Sequence, residues 1–365
     1  MNRPKLLQVL VSPLAIKVFV FIVLLLTAVR TLMLYNDTTT TTRIDHVTSS
    51  HPPNHREHHC LPPTPSDVLA QFEALKSACP NHPTPEGAAV RVTTATAHFG
   101  KVEKHYQDAL QTHVMHTMLH GQKLEVMCSP LVDDLWNKPA FLLSMLLDEM
   151  LKPRRERAEW IFWVDRDTII LDQCRPASSF LPPSRTDGAA ATNNGEGEKD
   201  GGGGKAPDDQ VQLLATKDWN GLNNGVFLLR VGQWAVELFS AVLAFRHYRP
   251  DVELPFTEQS AMGFLIGEPE FERGVRFVPQ TWFNAYPGGN ASAFLEREDE
   301  AGLADYQARR GDFLVHFAGV GGRGEAMGDW VGMLQRNGSS LAAETWRTQR
   351  NASRAIMEFW GDSAS

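Results

Sequence analysis

Two carboxylates separated by one residue, Asp165 and Asp167, are the feature of this sequence best suited to chemistry. They follow four apolar residues, Ile161 to Val164, which are all β-branched or aromatic and predict a buried strand. On the turn that leaves such a strand, both side chains can face the crevice where open α/β sheets bind ligands. Two hard oxygen ligands this close together suit Mg²⁺ or Mn²⁺, and such an ion suits a diphosphate. The alternative interpretation is an ordinary turn with two solvated acids.

The elements before Asp165 must position these carboxylates. The hydrophobic pattern predicts strands over residues 89–96 and 123–128, helices over 102–119 and 139–151, and then the strand that ends at Asp165. A β-α-β-α-β series is typical of a parallel, nucleotide-binding half-sheet with right-handed crossovers. The predicted fold class is therefore α/β, with a mostly parallel central sheet.

Later elements extend this domain, which we expect to cover residues 88–340. The pattern predicts a buried strand over Gly225–Arg230, an amphipathic helix over 233–245, a helix with Thr257 as N-cap, and a late strand over 312–317. Residues 186–209 are rich in glycine, alanine, asparagine and acids, and they predict a flexible surface insertion. Residues 341–365 are expected to form a C-terminal tail.

The N-terminal segment has a different character. Basic residues precede an apolar run, and the stretch from 16 to 34 approaches the thickness of a bilayer when Lys17 and Arg30 snorkel. We expect a cytosolic tail over residues 1–15, an uncleaved signal anchor over 16–34 and a stem rich in Thr, Pro and His over 35–87. A cleavable signal peptide is the alternative, although its cleavage site would be poor.

Composition limits the partners and the compartment. The net charge of −8 over 365 residues argues against nucleic acid as a partner. Four N-x-S/T sequons, at Asn36, Asn290, Asn337 and Asn351, lie beyond the predicted anchor and agree with a lumenal domain. The four cysteines also lie beyond it, and they allow three pairings among which the sequence does not choose.

Five ordered blocks extend the evidence beyond the two acids. They are Trp136-Asn-Lys138, Glu159-Trp-Ile-Phe-Trp-Val-Asp-Arg-Asp167, Leu222-Asn-Asn-Gly-Val-Phe-Leu-Leu-Arg230, Glu258-Gln-Ser-Ala261 and Gly311-Asp-Phe-Leu-Val-His-Phe-Ala-Gly319. Together they resemble the fungal galactosyltransferase/mannosyltransferase family that also includes plant xyloglucan xylosyltransferases. The resemblance covers about residues 90–334 and is far more specific than the two acids alone.

The resemblance implies a GT-A-like fold on a single-pass type II protein of the Golgi membrane. It also implies a retaining, Mn²⁺-dependent transfer of a hexose from UDP-galactose or GDP-mannose. The acceptor that it suggests is a glycan, most readily a mannoside, and a complex with related glycosyltransferases is a further expected partner.

The same match assigns roles to individual residues. Asp165 and Asp167 correspond to the metal-binding acids of the family, and His316 corresponds to its late histidine ligand. Three residues are expected near the donor besides Asp165, namely Lys138, Asn223 and Arg323. Glu258 and Gln259 are expected near the transferred sugar, where an amide or carboxylate would stabilise developing oxocarbenium character.

Two departures from the family pattern keep other functions open. Arg166 stands between the acids where the family usually has a small residue, and Val320 stands where a cysteine often follows His-Phe-Ala-Gly. A catalytically silent scaffold subunit of a Golgi glycosylation complex is therefore one alternative. A phosphohydrolase with an aspartyl nucleophile is a second, although Ile169 occupies the position where its motif has Thr or Val.

Overall fold

The structure is a computed structural model that describes residues 60–61, 63–79, 90–183, 211–348 and 352–362. The helices are α1 Ser66–Ala78, α2 Lys104–Leu119, α3 Asn137–Leu151, α4 Gln233–Tyr248, α5 Thr257–Leu265, α6 Ala291–Glu296, α7 Arg323–Thr348 and α8 Ala352–Asp362. The strands are β1 Val92–Ala97, β2 Lys123–Met127, β3 Trp160–Val164, β4 Thr168–Ile170, β5 Leu213–Asp218, β6 Gly221–Arg230, β7 Val275–Phe277 and β8 Leu314–His316.

Six strands form the central sheet, in the order β2-β1-β3-β6-β5-β7. The pairs β2–β1, β1–β3 and β5–β7 are parallel, whereas β6 runs antiparallel to both β3 and β5. Five strands therefore share one direction, and the predicted α/β class with a mostly parallel sheet is confirmed. The predicted β-α-β-α-β series is also confirmed, and it places Asp165 and Asp167 just beyond the carboxyl end of β3.

The sheet is buried on both faces, which explains the unbroken apolar run of β3. Side chains alternate along a strand, so Ile161 and Trp163 join a core packed under α3, α4 and α5. Phe162 and Val164 join a second core on the opposite face, which also contains Trp360 of α8. Sheets with helices on both faces produce such continuous hydrophobic strands.

Two segments predicted to lie outside the domain pack against it instead. Within the predicted stem, α1 buries Phe72 and Leu75 against Met115 of α2, and disulfides Cys60–Cys128 and Cys79–Cys174 fasten both ends of this region. Within the predicted C-terminal tail, α8 buries Ile356 and Trp360 in the core. The packing of these two helices was not predicted, because scattered apolar residues between polar ones give little sequence signal of burial.

Other predictions on the ends of the chain and the insertion are not covered by the structure. The predicted anchor over 16–34 and the predicted insertion over 186–209 lie outside the described residues. Among the residues that are described, no helix is both long and apolar enough to cross a bilayer.

Candidate active site

A cleft of ≈ 850 Å³ opens at the edge of the sheet where β1, β3 and β5 end. All eight side chains singled out in the sequence line this cleft: Lys138, Asp165, Asp167, Asn223, Glu258, Gln259, His316 and Arg323. Of the described non-glycine residues, Asp134 and Thr257 are those with positive φ, 47° and 50°, and both also line the cleft. Such conformations cost free energy and concentrate at functional sites.

Asp165, Asp167 and His316 meet in this cleft although His316 is distant in sequence. Each offers one ligand atom, and these atoms all lie within 4.8 Å of one another. The small β4–β8 ladder brings them together, because it pairs Thr168 with His316 directly after the turn that carries the two acids. Two carboxylate oxygens and one imidazole nitrogen form a ligand set suited to a divalent cation.

The hydrogen bonds of His316 fix which ring nitrogen is available. Asn284 donates through Nδ2 to Thr216 Oγ1 (2.7 Å) and to Asn223 Oδ1 (3.0 Å), so its Oδ1 accepts from His316 Nδ1 at 2.8 Å. Nδ1 therefore donates to Asn284, and Nε2 is the ring nitrogen that faces Asp167 Oδ1, 3.3 Å away. A proton or a cation between Nε2 and this carboxylate would satisfy both groups. The arrangement therefore fits a metal site.

Asp167 lies in the more enclosed part of the cleft. Its side chain is 10% exposed, and Arg323 Nη1 lies 3.0 Å from its Oδ2. Burial would raise the pKa of Asp167, but the neighbouring His316 and Arg323 outweigh burial and lower the pKa to about 2. Arg323 begins α7 directly after Gly322, whose φ of +63° allows the chain to turn into that helix. Asp167 is thus a carboxylate at neutral pH.

Asp165 has different neighbours. Lys138 Nζ, from the first turn of α3, lies 3.0 Å from Asp165 Oδ1 and 3.4 Å from Glu258 Oε1. Trp163 Nε1 donates to Asp165 Oδ1 at 2.8 Å and holds the carboxylate in place. Burial alone would lower the pKa of Lys138, but Asp165 and Glu258 outweigh it and raise the pKa. Lys138 is therefore a buried ammonium group shared between two carboxylates.

Glu258 and Gln259 reach the cleft from the first turn of α5. Burial raises the pKa of Glu258 despite the nearby Lys138, and its Oε2 has no hydrogen-bond partner within the described part of the chain. Gln259 Oε1 accepts from the backbone N–H of Asn224 at 3.0 Å. The predicted N-cap is wrong, because Thr257 is the first residue of the helix and Phe256 precedes it as the cap.

Asn223 lines the cleft wall with its side chain bonded to protein groups on every polar atom. Its Nδ2 donates to Tyr286 Oη (2.5 Å) and Asp218 Oδ2 (3.1 Å), and its Oδ1 accepts from Asn284 and from the N–H of Gly225 (2.9 Å). Asn223, which was predicted to lie near the donor, is thus connected through Asn284 to His316.

Several residues of this network were not predicted from the sequence. Asn224 Oδ1 accepts from Lys138 at 3.0 Å, and its position next to Asn223 in the Leu222–Arg230 block was an available signal. Asn284 and Tyr286 lie between two recognised blocks, and no local pattern singled them out. Their roles follow only from the fold.

Gly225 explains how His316 can approach β6. A Cβ atom on Gly225 would lie 2.2 Å from His316 Cε1, well inside any allowed contact. Only glycine leaves space for the imidazole ring here.

The two departures from the family pattern leave the ligand cluster intact. Arg166 lies over the ring of Tyr106, with Cζ 4.2 Å from the ring centroid, and it also lines the cleft. Val320 packs against an apolar cluster that includes Phe317 and Trp330. Neither side chain stands between the two carboxylates and His316.

Comparison with known proteins gives one family. Residues 95–326, more than half of the chain, match the galactosyl transferase GMA12/MNN10 family. An uncharacterized alpha-1,2-galactosyltransferase of Schizosaccharomyces pombe is 26% identical over 196 residues, covering 50% of this chain and 52% of that protein. A probable alpha-1,6-mannosyltransferase of Saccharomyces cerevisiae, MNN10, is 25% identical over 183 residues, covering 44% of this chain and 42% of that protein. The chain thus spans about half the length of these curated relatives.

Among solved structures, a glycosyltransferase involved in the glycosylation of the major capsid of PBCV-1 aligns with 65% of this chain and 98% of its own. The identity is 17% and the TM-score is 0.42, too low for a detailed comparison of the two folds.

Proposed function

This chain belongs to the galactosyl transferase GMA12/MNN10 family, and we propose that it transfers a hexose, galactose or mannose, from a nucleotide sugar to a glycan acceptor. The observation that carries the proposal is the meeting of Asp165, Asp167 and His316 in one cleft at the carboxyl edge of a mostly parallel sheet. Open α/β sheets bind nucleotides at this edge. The flanking cations Lys138 and Arg323 suit the negative charge of a diphosphate.

Asp165, Asp167 and His316 are the residues that would hold Mn²⁺. When bound, a divalent ion acts as a Lewis acid for the charge that develops on the departing nucleoside diphosphate. Arg323 supplies a fixed positive charge on the Asp167 side, and Lys138 supplies one on the Asp165 side. These charges stabilise the leaving group without a proton transfer.

Glu258 and Gln259 are proposed to face the transferred sugar. A carboxylate and an amide at this point stabilise positive charge at the anomeric carbon. We propose transfer with retention of stereochemistry, as expected from the family resemblance, and we assign no covalent nucleophile.

The proposed setting is the Golgi lumen, with residues 16–34 as a type II anchor. The two disulfides agree with an oxidising compartment. The two partner classes of this proposal are a nucleotide sugar and a glycan acceptor, for which an α-mannoside is the first choice.

A donor screen of the purified full chain tests this proposal. UDP-galactose and GDP-mannose are each offered with Mn²⁺ and an α-mannoside acceptor, with Asp167→Asn as the matched control. We expect transfer from one donor by the wild type and none by the variant. Absence of transfer and of donor hydrolysis with every donor would favour the scaffold alternative and overturn the proposal.

A further inference from the structure

Trp219 is a large aromatic side chain exposed at the mouth of the cleft. It is 69% exposed, and it occupies the turn between β5 and β6. The same cleft is lined by Asp167 and His316. Ligand-binding clefts are lined mainly by apolar and aromatic side chains, so an aromatic ring at this position is a candidate ligand contact.

The protein holds this indole ring in one orientation. Tyr286 and Tyr306 contact it edge-on, with ring centroids 5.4 Å and 5.3 Å away. The preceding residue is also held in place: Asp218 Oδ1 accepts from the N–H of Asn220 at 2.7 Å, and Asp218 Oδ2 accepts from Tyr286 Oη at 2.6 Å. A flat ring fixed in advance loses little entropy when a ligand packs on it.

The position of Trp219 in the sheet indicates which substrate it meets. β5 runs in the same direction as β3, so Asp218, the last residue of β5, and Asp165, which follows β3, lie at the same edge of the sheet with β6 between the two strands. Two strand spacings correspond to about 10 Å, which is about the length of a disaccharide. On the other side of Asp165 lies the parallel half of the sheet, formed by β2, β1 and β3. This half is the part of the sheet that suits the nucleotide.

We propose that Trp219 is the stacking platform for the acceptor saccharide. The apolar C–H face of a pyranose ring packs on the exposed face of the indole, and the next sugar residue extends towards Asp165 and His316. Trp and Tyr suit this contact because they combine a broad apolar face with a polar edge. This inference rests on the proposed function, since it assigns the second substrate of the same cleft.

The test compares Trp219→Ala and Trp219→Phe with the wild type, using an α-mannotetraose acceptor. Loss of the ring should raise the acceptor KM about tenfold or more, and phenylalanine should restore part of this loss. The donor KM should change less than the acceptor KM. Phe264→Ala is the matched control, because Phe264 is 49% exposed and lies on α5 outside the residues that line the cleft.

Binding measured without donor separates this inference from the proposed function. Saturation-transfer NMR reports whether α-mannotetraose or cellotetraose contacts the wild type and Trp219→Ala. Saccharide binding that depends on Trp219, without transfer from any donor, would uphold the platform and overturn the transferase activity. An unchanged acceptor KM in Trp219→Ala, a rise in the donor KM instead, or no saccharide binding by the wild type would overturn the platform.

Discussion

The two acids of the Asp-x-Asp motif face one cleft but have different neighbours. Asp165 is 30% exposed, and Lys138 and Trp163 contact it. Asp167 is 10% exposed, and His316 and Arg323 contact it. Asp165 connects to the buried Glu258 through Lys138, whereas Asp167 connects to the buried network of His316 and Asn284.

This difference indicates that the two acids of the three-residue motif have different roles. The Asp167 side is enclosed and places an ionised carboxylate beside Nε2 of a histidine whose Nδ1 is held by Asn284, which suits binding of a cation. On the Asp165 side, the Lys138 ammonium group lies between the carboxylates of Asp165 and Glu258, and its positive charge suits recognition of the sugar diphosphate. Substitutions on the two sides should therefore have distinguishable effects.

The largest expected effect is on the Asp167 side. Asp167→Asn should reduce transfer about 1,000-fold or more, because metal stabilisation of the leaving group contributes several kcal/mol. Excess Mn²⁺ should not restore the rate. Initial rates at saturating donor, with circular dichroism as the control for folding, give the measurement.

Asp165→Asn is the matched variant, and its loss of transfer rate should be smaller and partly recovered by raising the Mn²⁺ concentration. Equal losses in both variants would remove the distinction between the sides.

The next effect concerns the buried pair on the Asp165 side. Lys138→Met leaves Glu258 buried without its cation and should lower the free energy of unfolding by about 3–5 kcal/mol. The double variant Lys138→Met/Glu258→Gln should recover most of that stability while remaining inactive. Urea unfolding of both variants measures the change. A double variant as unstable as the single one would show that the two side chains are not energetically coupled.

A buried histidine, His113, contacts the turn that carries the two acids and makes stability depend on pH. His113 Nε2 bonds Thr168 O (3.1 Å) and Oγ1 (3.0 Å), and Thr168 Oγ1 donates to Asp165 O. Burial lowers the pKa of His113 from 6.5 to about 4. Between these values the unfolded chain binds a proton that the folded chain does not, so stability is complete above pH 6.5 and falls as pH drops towards 4.

A shift of this size corresponds to about 3 kcal/mol. His113→Gln should therefore flatten the stability profile between pH 6.5 and 4, as measured by urea unfolding at several pH values. The buried His116, whose pKa burial also lowers, remains in the variant and keeps part of the slope. An unchanged slope would mean that His113 is already protonated in the folded protein.

The smallest effect is expected for the residue that fixes the tautomer of His316. Asn284→Leu removes the acceptor of His316 Nδ1 and should weaken Mn²⁺ binding about 10- to 100-fold. Asn284→Asp keeps an acceptor at this position and should bind Mn²⁺ more tightly than Asn284→Leu. Isothermal titration of each variant measures the affinities. Indistinguishable affinities would exclude a role for the tautomer.

The sequence predicted the parts of the site that depend on local pattern. The apolar run before Asp165 predicted β3, and the β-α-β-α-β order predicted that the acids would lie at the carboxyl edge of the sheet. His316 was predicted through the resemblance and not through its spacing. Its pairing with Thr168 in the β4–β8 ladder is a long-range contact that no local pattern encodes.

The remaining features depend on packing in three dimensions. Asn284 and Tyr286 acquire their roles only because β5, β6 and β8 bring Asp218, Asn223 and His316 together. The packing of α1 and α8 on the domain likewise required knowledge of what each apolar face meets. The cysteine pairing followed from the same contacts.

The most direct test of the central claim is a count of bound Mn²⁺ by electron paramagnetic resonance, in the presence of UDP or GDP. The wild-type chain is expected to bind one ion, and Asp167→Asn and His316→Ala are expected to bind it at least about 100-fold more weakly. Transfer should stop in EDTA and return when Mn²⁺ is added. Equal Mn²⁺ affinity in the wild type and both variants, or full transfer in EDTA, would contradict a cation site formed by Asp165, Asp167 and His316.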